Sequence, residues 1–272
     1  MAITTSKQLS RYYELFKQVD ISFTKNLIQV LGLMPRHIYL KCRGDNFPCV
    51  IYSASMVGAK VIANLNESNF RIYKQAKNSA SLRFAFKIPD KPEPISFFVP
   101  AKITEFNLYN KENPNTYFAS LTYSQKPSDD LIEIFGEMLE ANVNAKKRKE
   151  ERIIITPDVI REMALDVKDC QILIDSVPRK CILRDLSFSG AKILLAGVVK
   201  FISNTPAIIK LSFQNQQNVF DIAGKTLRFE AVEGREDIAA IAIQFEESKV
   251  PLGYKMVING FFKSRRAKSS NK

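Results

Sequence analysis

Two stretches of the chain hold residues whose types and spacing suit them to holding a charged ligand. The first is NAKKRKEERIII, residues 144–155, with five basic side chains, among them Arg148 and Arg152, against two acidic ones. The second, a little over thirty residues further on, is Asp185-Leu186-Ser187-Phe188-Ser189-Gly190. A guanidinium is a planar, two-pronged donor that matches a phosphate or the O6/N7 edge of guanine in a way that lysine does not. Two of them four residues apart can close on one ligand, one meeting a base edge and the other a phosphate or a ring face. A carboxylate at Asp185 accepts from paired N–H donors such as guanine N1–H and N2–H. Ser187 donates or accepts nearby, and Gly190 permits a positive φ and close ligand approach. Each residue also has a plainer reading. Arg148 and Arg152 can be surface residues paired with glutamates at a helix end. Asp185 can cap a turn, Ser187 can be a turn hydroxyl, and Gly190 can mark a bend in a strand.

Composition excludes several chemistries. His37 is the only histidine, which argues against His-based metal sites and against Ser-His or Cys-His nucleophiles. There is neither a GxxxxGK[ST] loop nor a GxGxxG turn. Cys42, Cys49, Cys170 and Cys181 show no CxxC spacing, so buried, reduced thiols in a cytoplasmic protein are expected. No apolar run approaches the roughly 18–20 residues that cross a bilayer, and MAITTSKQLSRYYELF does not read as a signal peptide. The expectation is a protein without membrane insertion, without metal or cofactor, and not an enzyme.

The formal charge is +12 and the sequence pI about 9.5. Much of the excess lies in the 146–152 strap and in the tail KSRRAKSSNK (263–272), which has five basic residues and no acidic one. The tail reads as a solubilising, disordered end, with a polyanion contact as the alternative. That alternative extends to non-specific nucleic-acid binding if Tyr12, Tyr13, Phe70 and Tyr73 are exposed. The competing reading puts these aromatics in the core, since Tyr12 and Tyr13 fall in an apolar helical stripe.

The elements that must position these residues alternate between helical and β patterns. Residues 7–19 and SFTKNLIQVLGL have helical spacing, stopped by Gly32 and Pro35. HIYLKC, CVIYSA, GAKVIANL, SLRFAFKI, ISFFVPAKI and YFASLTY then read as strands between Gly, Asn, Asp and Pro punctuation. Residues 128–145 read as a helix with Ser128 as N-cap and two aspartates in its first turn. The order recurs after Arg152. CQILID, PRKCILRDLS, GAKILLA, PAIIKLSF, VFDIAGKTLRFEAV and IAAIAIQF read as strands, and residues 250–264 as a closing helix. SASMVGAKVIANL (53–65) aligns with DLSFSGAKILLAG (185–197), and four further matches follow in the same order. We read an internal duplication, two β-rich modules each ending in a helix. The first copy has Ser53 where the second has Asp185, and no arginine pair precedes it.

Arg148-x-x-x-Arg152 followed by Asp185-x-Ser187-x-x-Gly190, with strands and a terminal helix after them, resembles the PilZ domain, a β-barrel receptor for cyclic di-GMP. The resemblance covers roughly residues 146–262, and the whole layout is similar to two-domain PilZ receptors of PlzA-like type. It implies a mainly β fold with flanking helices: two PilZ-like six-stranded β-barrel modules in tandem, each closed by a C-terminal helix. The implied division is a degenerate N-terminal domain at 1–143, an arginine-rich strap at 144–152, and a PilZ domain with basic tail at 153–272. It also implies cyclic di-GMP contact by Arg148, Arg152, Asp185, Ser187 and Gly190, with Lys147 affecting whether one or two ligand molecules bind. Ordering of the strap by the ligand would then signal to an unidentified downstream protein partner. Nucleic acid remains the rival partner.

Overall fold

The structure, a computed structural model, describes residues 5–88, 92–110, 112–196, 204–213, 218–232 and 234–270. The chain forms two compact units, Met1–Leu139 and Glu140–Lys272. In the first, helix α1 (Ser6–Phe16), the two-residue strand β1 (Ile21–Ser22) and helix α2 (Lys25–Leu31) lead into strands β2 (Tyr39–Cys42), β3 (Asp45–Ala54) and β4 (Gly58–Asn64). Helix α3 (Glu67–Gln75) follows, then β5 (Ser79–Phe86), β6 (Ile95–Asn110), β7 (Asn113–Tyr123) and helix α4 (Asp129–Lys147), whose last residues belong to the second unit. Strands pair in the order β3-β2-β5-β6-β7-β4, and a further β3–β4 pairing closes six strands into a barrel, with β1 added to β3. Alternation along β3 sends Phe47, Cys49 and Ile51 inward, as a one-sided strand requires. They meet Leu40, Val61, Leu82, Phe84 and Val99, all 1% exposed or less.

Helix ends follow their local chemistry. The Thr24 hydroxyl accepts from the Leu27 N–H to open α2, and Gly32 at φ 66° closes it in the left-handed region. A Cβ on Gly32 would sit 2.2 Å from the Lys87 carbonyl oxygen. Ser128 stands at the expected N-cap position of α4, without a side-chain cap. Its carbonyl accepts from the Leu131 and Ile132 N–H groups, but its hydroxyl is buried without a partner. In α4, Gly136 lies against the Tyr12 ring, where a Cβ would come within 2.3 Å of Cδ2. Gly136→Ala is therefore expected to push α1 off and cost about 1–3 kcal/mol, although helix propensity alone favours alanine. Thermal unfolding read at the first unit checks the sign.

The second unit repeats this plan. Strand β8 (Ile153–Ile154) and helix α5 (Pro157–Met163) precede β9 (Leu165–Ile174), β10 (Val177–Lys180), β11 (Ile182–Leu186), β12 (Gly190–Ala196), β13 (Pro206–Phe213), β14 (Asn218–Val232) and β15 (Arg235–Phe245). Helix α6 (Leu252–Ser270) closes it. The sheet order is β10-β9-β13-β14-β15-β12-β11-β8, curled so that the Cys181 N–H donates to the Cys170 carbonyl at 3.2 Å. PRKCILRDLS, expected as one strand, is broken at Cys181 into β10 and β11.

The duplication holds at the level of register. Gly58 faces Thr122 as Gly190 faces Gln244, Ser79 faces Lys102 as Pro206 faces Lys225, and Ile21 faces Ala54 as Ile153 faces Leu186. Matching bulges interrupt β6 between Ile103 and Glu105 and β14 between Thr226 and Arg228.

The tail departs from expectation. Its residues to Ser270 are the last turns of α6, not a disordered end; residues 271–272 lie outside the described residues. Acidic partners distant in sequence hold it. Ser264 and Lys268 donate to Glu162, and Arg266 pairs with Glu151. The hydrogen bond from Lys268, ahead of that from Ser264, lowers the Glu162 carboxyl below its ordinary 4.5. The sign follows from that direction. This anchor contributes above the unfolded value and is lost as pH falls through the lower folded value, so amide protection at the end of α6 should fall on acidification from neutral toward pH ~3. Of the four aromatics invoked for nucleic acid three are packed away, and Tyr13 is half-buried with Lys17 and Lys126 over its ring. Tyr12 and Tyr73 are buried, and Phe70 packs edge-on against Phe106 and Tyr117. No helix among the described residues is long and apolar enough to cross a membrane.

Candidate ligand site

The site is built in the second unit by the shortest strand of its sheet. Ile153 and Ile154 of β8 pair with Leu186 and Asp185 of β11, which places the preceding residue, Arg152, beside the Asp185 carboxylate. Arg152 Nη1 donates to Asp185 Oδ1 at 2.6 Å, with 10% of the Asp185 side chain exposed against 42% of Arg152. A charge this covered needs its partner, and the geometry is that of a charge-assisted hydrogen bond.

The turn after β11 is internally complete. The Ser187 N–H donates to the Gly190 carbonyl at 2.8 Å, and its hydroxyl donates to the same oxygen at 3.1 Å while accepting from the Ser189 N–H at 3.3 Å. From α6, the Tyr254 hydroxyl donates to the Ser187 carbonyl at 2.7 Å. Burial, and then the charge of Asp185, push the Tyr254 phenol well above its ordinary value of 10, so it remains a donor. Gly190 has no positive φ; among the described residues the glycines that do are Gly32, Gly44 and Gly234. It is required for a different reason, since a Cβ there would lie 2.3 Å from the Ile243 carbonyl oxygen.

The arginine-rich segment is fastened rather than loose. Helix α4 runs to Lys147, so only residues 148–152 of the expected strap lie outside regular structure. The Lys149 carbonyl accepts from the Ser189 hydroxyl at 2.6 Å, the Lys149 ammonium meets Glu247 at 2.6 Å, and Glu151 meets Arg266 at 3.4 Å. The Lys149 hydrogen bond holds the Glu247 carboxyl below its ordinary range. Arg152 and Asp185 are thus brought together, with Ser187 and Gly190 in the adjoining turn. Neither exposed Lys147 nor half-buried Arg148 makes a hydrogen bond or ion pair to that turn among the described residues.

Sequence reasoning takes Lys146 and Lys149 as electrostatic support for the strap, and misses Phe188, Ser189, Phe245, Tyr254 and Lys255. A cleft of about 660 Å³ beside the turn is lined by Lys146, Lys149, Phe188, Ser189, Phe245 and Lys255, among others. Lys149 and Ser189 sit inside the two motifs and were in plain view; Tyr254 and Lys255 lie in the closing helix and carry no motif. Burial lowers the Lys255 ammonium from its ordinary value, with Glu247 opposing and Lys146 reinforcing the shift.

The first unit builds the same turn without the carboxylate. The Ser55 N–H donates to the Gly58 carbonyl at 2.8 Å, the Ser55 hydroxyl accepts from the Val57 N–H at 3.2 Å, and a Cβ on Gly58 would lie 2.5 Å from the Leu121 carbonyl oxygen. Ser53 stands where Asp185 stands, each paired with the short leading strand of its unit.

Residues 7–142 match the PilZN3 domain. A protein from Treponema denticola named "Cyclic di-GMP binding protein" is 41% identical over 271 residues, covering 100% of this chain and 86% of its own length. Among solved structures, the Borreliella burgdorferi PlzA protein in complex with c-di-GMP is 23% identical over 94% of this chain and 99% of its own, with a TM-score of 0.41. YcgR from Escherichia coli in complex with c-di-GMP is 11% identical over 98% and 94%, with a TM-score of 0.28. The chain belongs to the family of proteins that carry a PilZN3 domain.

Proposed function

We propose that the protein is a receptor for cyclic di-GMP, a binding protein and not an enzyme, with its site on the second unit. The observation that carries this reading is the Arg152–Asp185 pair at 2.6 Å, one guanidinium donor and one carboxylate acceptor next to the Ser187–Gly190 turn. The name of the Treponema denticola relative supports the ligand class. In this reading Asp185 accepts from guanine N1–H and N2–H, which selects guanine over adenine. Arg152 and Arg148 take the O6/N7 edge and a phosphate, while Ser187 and Gly190 present the turn against which the base rests. Lys147 adds charge at the strap's entry. A micromolar ligand needs about 8 kcal/mol, and charge-assisted hydrogen bonds of roughly 1.5–3 kcal/mol each supply that from four or five contacts after ordering costs.

The strap is already tied to Ser189, Glu247 and Arg266, so the ligand acts by exchanging fastenings rather than by ordering a loose segment. We place the division between the modules at this segment, 144–152, and propose that re-seating it changes their arrangement and signals to a downstream protein partner. Small-angle scattering with and without cyclic di-GMP tests that step, and superimposable profiles would remove it. Binding itself is tested by calorimetric titration of cyclic di-GMP, with GTP and cyclic di-AMP as controls. Selective micromolar or tighter binding is expected. A folded protein that takes up no cyclic di-GMP sinks the receptor reading and leaves polyanion binding, recognised by its steep salt dependence.

A further inference from the structure

Two of the four free cysteines face each other at the seam of the second unit. The β9–β10 ladder pairs Val177 with Ile174 and ends with Lys180 opposite Gln171, so the next pair in register is Cys181 opposite Cys170. Their backbones continue the ladder, the Cys181 N–H donating to the Cys170 carbonyl at 3.2 Å, and their sulfurs are 3.5 Å apart. A directly opposed, hydrogen-bonded antiparallel pair has Cα atoms about 5.5 Å apart, the commonest separation for a disulfide.

The duplication supplies an internal control. In the first unit the Cys49 N–H donates to the Ile38 carbonyl at 3.3 Å, in the place of Cys181 and Cys170. One cysteine of the seam is therefore common to both copies, and its facing residue is a buried isoleucine in one and a cysteine in the other. A thiol and an isoleucine both fill a core position, so packing alone does not call for a second sulfur here.

We infer that Cys170 and Cys181 form a reversible disulfide that staples the seam of the ligand-binding unit under peroxide stress. Hydrogen peroxide is the oxidant. The Cys170 thiolate attacks one peroxide oxygen, an S–O bond forms, the O–O bond breaks, and hydroxide leaves and is protonated to water. The Cys181 sulfur then attacks that sulfenic sulfur, an S–S bond forms, the S–O bond breaks, and a second water leaves with the Cys181 proton. Two thiols and one peroxide become one disulfide and two waters, and a dithiol reductant reverses the change.

The two thiols are suited to these unequal roles. The hydrogen bond from Cys181 outweighs burial and lowers the Cys170 thiol, while the same contact and burial raise that of Cys181. Cys49, by contrast, is pushed up to about 12 by burial. Access comes through the edge of the sheet. All four residues of β10 are exposed, and the pair lies at the ladder end away from the Asp175–Ser176 turn, so peroxide reaches it when the short edge strand β10 opens along its whole length.

The test uses the full chain, treated with hydrogen peroxide under native conditions, then alkylated, digested and mapped by mass. The expected result is a loss of two thiols, a Cys170–Cys181 cross-linked peptide lighter by two hydrogens, alkylated Cys42 and Cys49, and recovery with a dithiol reductant. Cys170→Ser and, separately, Cys181→Ser should each abolish the cross-link, and the wild-type map stands even if one variant folds poorly. Four intact thiols in peroxide that oxidises exposed methionine, or oxidation of Cys170 to sulfinic acid without a cross-link, would overturn the inference. Neither result depends on cyclic di-GMP binding, so failure here and failure of the receptor reading are distinguishable.

Discussion

Arg152→Ala is expected to weaken cyclic di-GMP binding by about 100-fold and also to destabilise the second unit by ~1–3 kcal/mol. The two losses share one cause, because Arg152 is the ion-pair partner of a carboxylate only 10% exposed in its side chain. Removing the guanidinium leaves Asp185 covered and uncompensated, and that penalty appears whether or not ligand is present. A second substitution separates the effects. In Arg152→Ala/Asp185→Ala no buried charge remains, so stability should return toward the wild-type value, whereas affinity should stay at least as low as in the single variant. Chemical denaturation and calorimetry on the four proteins of this cycle give a coupling energy for each property. If affinity recovers along with stability, the arginine supports the fold only, and the ligand contact assigned to it is wrong.

Arg148→Ala makes a different demand. Its backbone N–H donates to the Asn144 carbonyl at the end of α4, and alanine keeps that bond. Little stability should be lost, and any loss of affinity then belongs to the side chain. Comparison of the two arginines thus tells which end of the strap grips the ligand.

Much of this arrangement could be read from residue order. The duplication was legible because strands hold their register through the glycine turn, Gly58-Ala59-Lys60 against Gly190-Ala191-Lys192, and the structure reproduces the same partners on each. Hidden features depend on contacts distant in the chain. Strands β1 and β8 have two residues each, too few to show an alternation, yet β8 is what sets Arg152 against Asp185. Helix α3 begins with a reciprocal cap between Asn66 and Asn69, polar residues that read as a loop where apolar spacing is the guide. The tail looked disordered because its charges have no local counter-ions. Its partners Glu151 and Glu162 are more than a hundred residues away, and only folding brings them together.

Gly190→Ala and Asp185→Ser should both abolish ligand binding, by routes that the duplication makes separable. At Gly190 a methyl group would lie 2.3 Å from the Ile243 carbonyl oxygen, and backbone cannot swing aside as a side chain does. The β12–β15 register, which runs from Gly190 opposite Gln244 to Ala196 opposite Ile238, must give way, at a cost of ~3 kcal/mol or more. Gly58→Ala meets the Leu121 carbonyl at 2.5 Å and should damage the first unit to a similar degree, while leaving cyclic di-GMP binding intact. Asp185→Ser instead installs the residue that the first unit already carries at Ser53, ahead of a turn with the same serine-to-glycine hydrogen bonds. That turn folds in the first unit, so the variant should keep its amide protection in β11 and β12 and lose the guanine acceptor. Hydrogen exchange resolves the two units separately, as a single unfolding midpoint for a two-unit chain does not. Binding retained by Asp185→Ser would mean that the carboxylate serves Arg152 alone, and the selectivity for guanine would have to come from the lysine-lined cleft instead.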